Sequence, residues 1–361
     1  MQKHTDKYFL AANSAEGFIS SFDECYDPFD GWRAYIIKGG PGTGKSSLMR
    51  KLSLKAEEIG LSTIKCPCSS DPDSLDAVIF KDIKTVILDG TAPHIVEPKF
   101  AGSCENIINL GDCWDSKRLY SNREDIIDLT LKNKLIHKSA SRFLLAAGQI
   151  FSDNIKLMSE CLEDEKTRQF AFNLCKKLIP NKRNSLGKEW VRYITAITPK
   201  GIVSYSDTVS AYNTKIIIKD DFFVCAPTIL EIVREYAISE GYEIITLKNP
   251  FLPTRLTDHI LIPELSLCIL SENSYIKFNT DERRIHSRRF LNIAAVGKNR
   301  EKYRLNKKLF CELVLTACKI LSRAKYVHDE LEKCYITCMD FDKSEEIFNN
   351  LWKEILSSIK S

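Results

Sequence analysis

The chain lacks any apolar run of the ~20 residues that a membrane-spanning helix requires, and no such span is expected. It also lacks an excess of either charge. Its 52 Lys and Arg stand against 48 Asp and Glu, a net of +4. That is too little, in either half, to call for nucleic acid as an obligatory partner. The 13 cysteines are numerous but odd in number, and they lack regular spacing. Cys66-Pro-Cys68 and Cys334-x-x-x-Cys338 have no second pair at zinc-finger spacing. The opening residues, Met-Gln-Lys-His-Thr-Asp-Lys, lack the apolar core of a secretory signal. The expectation is a cytoplasmic chain of reduced thiols.

Glycine is sparse as well, with 15 in 361 residues, yet Gly39, Gly40, Gly42 and Gly44 fall within one short run. With Pro41, Thr43, Lys45 and Ser46 they spell G-x-x-x-x-G-K-[ST] in full. Ala34 to Lys38 before the run reads as a buried strand, and Ser47 onward reads as a helix. A strand, a glycine-rich loop and a helix are the context in which this motif binds phosphate. Glycines allow successive N–H groups to point at phosphate oxygens. The helix start adds its positive dipole end. Residues 39–47 are therefore the candidate nucleotide site. Lys45 is placed to neutralise the β- and γ-phosphates, and the Ser46 hydroxyl to hold Mg²⁺.

The chain also repeats itself at an offset near ~180 residues, the size of one domain. Lys7 to Phe22 aligns with Val191 to Ser206, and Tyr35-Ile-Ile-Lys38 with Ile216-Ile-Ile-Lys219. Phe80 to Leu88 aligns with Ile262 to Leu270, and Phe170 to Leu178 with Ile347 to Ile355. The fold expected is α/β: two tandem P-loop NTPase-like three-layer αβα domains made by internal duplication. Their expected extents are 1–185 and 186–361, joined around Pro180 to Gly187, where polar residues, Pro and Gly suit a linker. The second copy reads as degenerate. Gly39 to Ser46 falls against Asp220-Asp-Phe-Phe-Val-Cys-Ala-Pro227, which has neither glycine nor lysine. Asp220 and Asp221 would repel a triphosphate, and Pro227 removes a backbone donor.

Thr85-Val-Ile-Leu-Asp89 reads as a buried strand ending in a carboxylate that would hold a Mg²⁺-bound water. Gly90 stands where many P-loop ATPases carry a Glu that activates water, so fast hydrolysis is not expected. Two segments offer substitutes. Asp71, Asp73 and Asp76 follow the strand Ser62 to Cys66, and carboxylates there can orient a water, a metal or a substrate hydroxyl. The same residues equally fit an Asx-type turn opening a capped helix. Beyond Asp89, His94 can touch the γ-phosphate and Glu97 can act as base, or the loop simply carries a surface histidine. The cluster Arg283, Arg284, Arg288 and Arg289 can supply an arginine finger or form a solvated basic face. Residues 115–178 and 300–333 read as amphipathic helices, with stripes such as Ile126, Ile127, Leu131 and Leu135, that pack on their own sheets or on each other.

The chain resembles an uncharacterised family of bacterial ATPase-like proteins with tandem P-loop domains. The resemblance rests on Tyr8 to Phe18, Lys38 to Ser46, Ser69 to Asp76, Leu88 to His94 and Ile107 to Asp112. In the second half it rests on Ala196 to Gly201 and Met339 to Phe341. It implies a P-loop fold in each half and nucleotide binding, with no established substrate. Family members keep a glycine-rich run in both copies, so Asp220 to Pro227 is a departure, and one nucleotide site is expected. The combined reading is an ATP-binding, slow Mg²⁺-dependent ATPase with its site in the first half. A small-molecule phosphotransferase and a non-catalytic nucleotide-gated switch are the alternatives. ATP is preferred to GTP because no Asn-Lys-x-Asp run of the guanine-reading kind occurs in the first half.

Overall fold

A computed structural model describes residues 6–182 and 185–360. The first half contains β1 (Asp6–Lys7), β2 (Ala11–Ser14), β3 (Gly17–Ser20), β4 (Arg33–Lys38), α1 (Lys45–Glu58), β5 (Thr63–Pro67), β6 (Leu75–Phe80), β7 (Thr85–Asp89) and β8 (Glu105–Asn109), followed by α2 (Ser116–Ser121), α3 (Arg123–Ser159) and α4 (Asp164–Leu178). The second half contains β9 (Glu189–Arg192), β10 (Thr195–Thr198), β11 (Gly201–Ser204), β12 (Thr214–Lys219), α5 (Cys225–Ser239), β13 (Ile244–Lys248), β14 (Thr257–Ile262), β15 (Leu267–Glu272), β16 (Arg284–His286), α6 (Ile293–Ile336) and α7 (Phe341–Lys360).

Each half builds one six-stranded mixed sheet, and the two sheets share a strand order. The first runs β1-β5-β6-β7-β4-β8 and the second β9-β13-β14-β15-β12-β16. In each, only the third strand, β6 or β14, is antiparallel to its neighbours. Both sheets carry a register irregularity at the same place, Cys66/Pro67 and Leu247/Lys248. Both close the turn before the next strand with a left-handed residue, Lys84 and Ser266. A small hairpin, β2–β3 or β10–β11, accompanies each sheet. Phe9 and Tyr193, each two residues before the hairpin of its half, exchange backbone hydrogen bonds of 2.7 and 3.0 Å, so the halves meet there.

The layering differs from two separate αβα sandwiches, because helices cover one face of each sheet. On the first sheet, Tyr35, Ile37, Val78 and Ile87 pack on Leu48, Met49 and Leu52 of α1. The opposite faces share a single core. Ile36, Ile79 and Leu88 of the first sheet belong to one buried cluster with Ile217, Leu261 and Leu270 of the second. Strands β6, β14 and β15 are buried at every position because both faces are covered, and they carry Asp76, Asp258 and His259 into the interior among apolar neighbours.

The terminal helices cross over. Ala171 and Cys175 of α4 sit in the core of the second sheet beside α5. Phe348, Leu351 and Ile355 of α7 sit in the core of the first sheet beside α1. The expectation that helices pack on their own sheets or on each other therefore holds only for α3 and α6. Those two run antiparallel: Phe151 stacks on Phe310, and Lys302 pairs with Asp153 at 2.9 Å. Ala140, Leu144, Ala147, Phe151, Asn154 and Met158 alternate spacings of four and three, the seam of a coiled coil. The stripe Ile127, Leu131 and Leu135 is exposed instead, because the half-buried positions that continue the seam here are Ile126, Leu129, Asn133 and Ile136. No helix among the described residues is long and apolar enough to cross a membrane.

Candidate functional site

The six residues Gly39 to Gly44 join β4 to α1, and Gly44 caps the helix with φ 88°. Among the described residues, no hydrogen bond takes the amides of Gly42, Thr43, Gly44, Lys45 or Ser46 as donors. These five N–H groups at a helix start are donors left without an acceptor among those residues. Lys45 lies over them. Its Nζ donates to the carbonyls of Gly39 at 3.1 Å and Gly40 at 2.8 Å, and stands 3.6 Å from Asp89 Oδ2. Because β4 and β7 are adjacent parallel strands, with Ile37 beside Asp89, Lys45 and Asp89 meet at their carboxyl ends. Asp89 Oδ1 accepts from the amide and hydroxyl of Thr91. Ser46 Oγ accepts the Leu75 amide at 2.9 Å and keeps one lone pair.

The second half repeats this set of donors and fills it. Its loop, Asp220 to Val224, is one residue shorter, so α5 begins at Cys225, against Gly44 and one place before the start of α1 at Lys45. Asp220 folds back over the helix start. Its Oδ2 accepts from the amides of Val224 at 3.0 Å, Cys225 at 2.8 Å and Ala226 at 2.8 Å, and its Oδ1 from Phe222 at 3.2 Å. The side chain is wholly buried. Burial raises its pKa above the ordinary carboxylate value, and the amides and Ser287 oppose that shift. A carboxylate of the chain thus occupies, in the second half, the place left bare in the first.

The other candidates divide. Asp71 does shape an Asx-type turn, accepting from Asp73 N and Ser74 Oγ, but a strand follows it, not a capped helix. Asp71 lies 3.5 Å from Lys325, and Asp73 lies 2.6 Å from Lys200, both second-half lysines. These two carboxylates tie the halves together. Glu97 is exposed and pairs with Lys38 at 2.5 Å. His94 is not at the surface: its side chain is only 5% exposed, and it stacks on Phe22 at 4.3 Å. Its Nε2 is 3.8 Å from Asp76 Oδ1. Burial pushes the Asp76 carboxyl up to about 6, with His94 pulling it down and Asp89 pushing it further up. Arg284 is spent on Glu272 and on the carbonyls of Phe278, Thr280 and Glu282, and Arg289 lies over Phe170 and Phe290. Those two arginines serve the second half. The cysteines are free thiols, and none joins a metal-ligating group among the described residues.

No protein-family model, curated protein or solved structure matches this chain.

Sequence reasoning missed what lies on the loop. The end of α6 rests there: a Cβ on Gly40 would come within 2.5 Å of the Tyr335 ring, and one on Gly42 within 2.7 Å of the Glu332 carbonyl. Gly42 also has φ 69°, where a side chain is strained. His328, Asp329 and Glu332 of α6 bring their ligand atoms within 4.8 Å of one another, but Asp329 already pairs with Lys325. The adjoining glycines at 39–40 were the one signal for a close neighbour, and they were equally explained by phosphate.

Proposed function

We propose that the chain binds MgATP at one site, the loop Gly39 to Ser47, and hydrolyses it slowly. The observation that carries this reading is the contrast between the two cradles. The same local fold is closed by a built-in carboxylate at Asp220 and left with bare amides and a lysine in the first half. Amides left free at a helix start are satisfied by water or by an anion, and a lysine over them favours the anion. The matching strand orders, bulges and turns also support an origin by internal duplication, with the second copy no longer open to nucleotide.

The residues fit the ligand. Lys45 can exchange its contacts with the Gly39 and Gly40 carbonyls for phosphate oxygens without leaving the loop. Ser46, through its free lone pair, and Asp89 would hold Mg²⁺, which would supply neutralisation of phosphate charge. Gly90 puts no carboxylate at the position after Asp89, and Glu97 is tied to Lys38, which favours slow turnover. The pairing of Asp71 and Asp73 with lysines speaks against their accepting a substrate hydroxyl, and so against the phosphotransferase. The gated switch keeps one observation in its favour, the seat of α6 on the loop.

Calorimetric titration with MgATP tests the site. Wild-type protein binds one equivalent, and Lys45→Ala loses that binding; undiminished affinity in the variant overturns the assignment. Phosphate release without added acceptor separates hydrolysis from the switch, which would raise the melting temperature at background turnover.

A further inference from the structure

Near the bare cradle lies a buried imidazole without a hydrogen-bond partner. Ala77 pairs with Leu88 across the antiparallel strands β6 and β7, so one step further Asp76 faces Asp89, which stands beside Lys45. Against Asp76 lies His94, whose two ring nitrogens are buried and have no hydrogen-bond partner. A buried polar group without a partner is rare in a folded chain and calls for an explanation. The ring is not loosely held. The loop that bears it starts at Asp89, and Lys38, the residue before the glycine run, clasps it through the carbonyls of Gly90 at 2.9 Å and Val96 at 2.7 Å. Phe22 stacks on one face at an interplanar angle of 6°.

The second half again provides the control. There the matching buried carboxylate is Asp258, one step beyond the His259–Leu270 pair. It accepts from Tyr275 Oη at 2.6 Å and from Asn249 Nδ2 at 3.1 Å. The half whose cradle holds Asp220 therefore has its inner carboxylate fully engaged. The half whose cradle is bare has an inner carboxylate bonded to the Cys68 thiol and facing an imidazole at 3.8 Å, beyond hydrogen-bonding range. That imidazole is unsatisfied on both nitrogens, whereas His259 beside Asp258 lacks a partner on Nε2 alone, its Nδ1 accepting the Ser271 amide.

We propose that His94, positioned by Asp76, is the group that recognises the terminal phosphoryl of the bound nucleotide. The assignment rests on the nucleotide reading above and deepens it. Nε2 faces Asp76 and Nδ1 remains to donate to a phosphate oxygen. The terminal phosphoryl is the part of a nucleoside triphosphate that the diphosphate lacks, so His94 sets the preference between the two. Asp76 orients the ring and touches no phosphate, since its carboxylate would repel one.

The test is calorimetric binding, to the full chain with Mg²⁺, of ADP and of a non-hydrolysable ATP analogue. His94→Ala is expected to weaken the analogue tenfold or more and to leave ADP within twofold. Asp76→Asn shifts the same ratio in the same direction by less. His94→Gln, which keeps a donor and guards against misfolding, retains part of the preference. Equal weakening of both ligands in His94→Ala assigns the ring a structural role and overturns the proposal, as does no change in either. Binding of neither nucleotide by wild-type protein overturns the nucleotide reading, and this inference with it, whereas loss of both in Lys45→Ala alone leaves the two claims separately judged.

Discussion

Asp220→Ala removes the acceptor of four amides, three of them buried. Those donors lie 2.8 to 3.2 Å from the carboxylate, three of them on one oxygen. Hydrogen bonds to a charged group are worth roughly 1.5–3 kcal/mol each, but four to one group do not add. Two effects reduce the loss: water can enter the space the carboxylate vacates, and the variant is spared the desolvation that raises the Asp220 pKa. Stripping the partner from a buried charged contact typically costs about 3–5 kcal/mol, and the lower end is expected here. The assay is urea denaturation, read from the midpoint at constant slope. The second measurement is more searching. With Lys45→Ala also present to silence the first loop, inorganic phosphate should restore stability to the Asp220→Ala protein and do nothing for its Asp220 parent. At phosphate about 100-fold above its dissociation constant the gain is about 2.7 kcal/mol. A loss below about 0.5 kcal/mol, or a loss that phosphate does not mend, would show that the amides were never an anion cradle, and the analogy drawn from them to the first half would fall.

The pH dependence follows from two carboxyls. Burial pushes both Asp76 and Asp258 up to about 6. Between the ordinary value of 3.8 and about 6 the folded chain binds more protons than the unfolded one, so stability is full below about 4 and falls as pH rises through about 6. Each shift corresponds to on the order of 3 kcal/mol. Urea midpoints from pH 4 to 7 should show the fall, and Asp76→Asn with Asp258→Asn should flatten it; an unchanged slope in the double variant refutes the assignment. Lys45→Ala should lower stability by about 1–3 kcal/mol, because it leaves the nearly buried Asp89 carboxylate with its Thr91 donors but without the ammonium 3.6 Å away. Its larger effect should fall on nucleotide binding, and undiminished binding would count against a ligand role for Lys45.

What could be read from the residues was local. Thr85–Asp89 is a strand at the expected bounds because a short apolar run ending in a carboxylate has few other uses. The glycine loop lies between strand and helix as its spacing requires. The failures are non-local. An Asx turn at Asp71 opens a strand as readily as a helix, and what decides is the pairing of β6 with β5 and β7. His94 sits in a loop between Pro93 and Ile95 that reads as surface, and the stacks on Phe22 and Phe18 make it interior. Asp220 read as a charge that repels phosphate. Aligned without a gap, it could not be seen that a loop one residue shorter folds this charge onto the amides. An apolar stripe says that α4 and α7 bury a face, and not which sheet receives it.

That exchange of helices has a consequence for folding. Phe348, Leu351 and Ile355 of α7 are each no more than 3% exposed against the first sheet. Removing three such side chains from their cover forfeits about 1.5–3 kcal/mol apiece, a sum comparable with the 5–15 kcal/mol that holds a typical domain together. The second sheet depends in the same way on Ala171, Cys175 and Ile179, and the core between the sheets is common to both. A chain cut within Pro180 to Gly187 should therefore yield two pieces that each lack a cooperative melt. The first piece holds a sheet without α7 and a helix, α4, without its sheet. Mixed, the pieces should recover a single sharp transition, since every buried surface again finds its match. A first piece that melts alone as sharply as the intact chain would mean that α7 adds little to the first sheet. The seat of α6 on the glycine loop would then be a contact between two independent bodies, and not part of one interlocked fold.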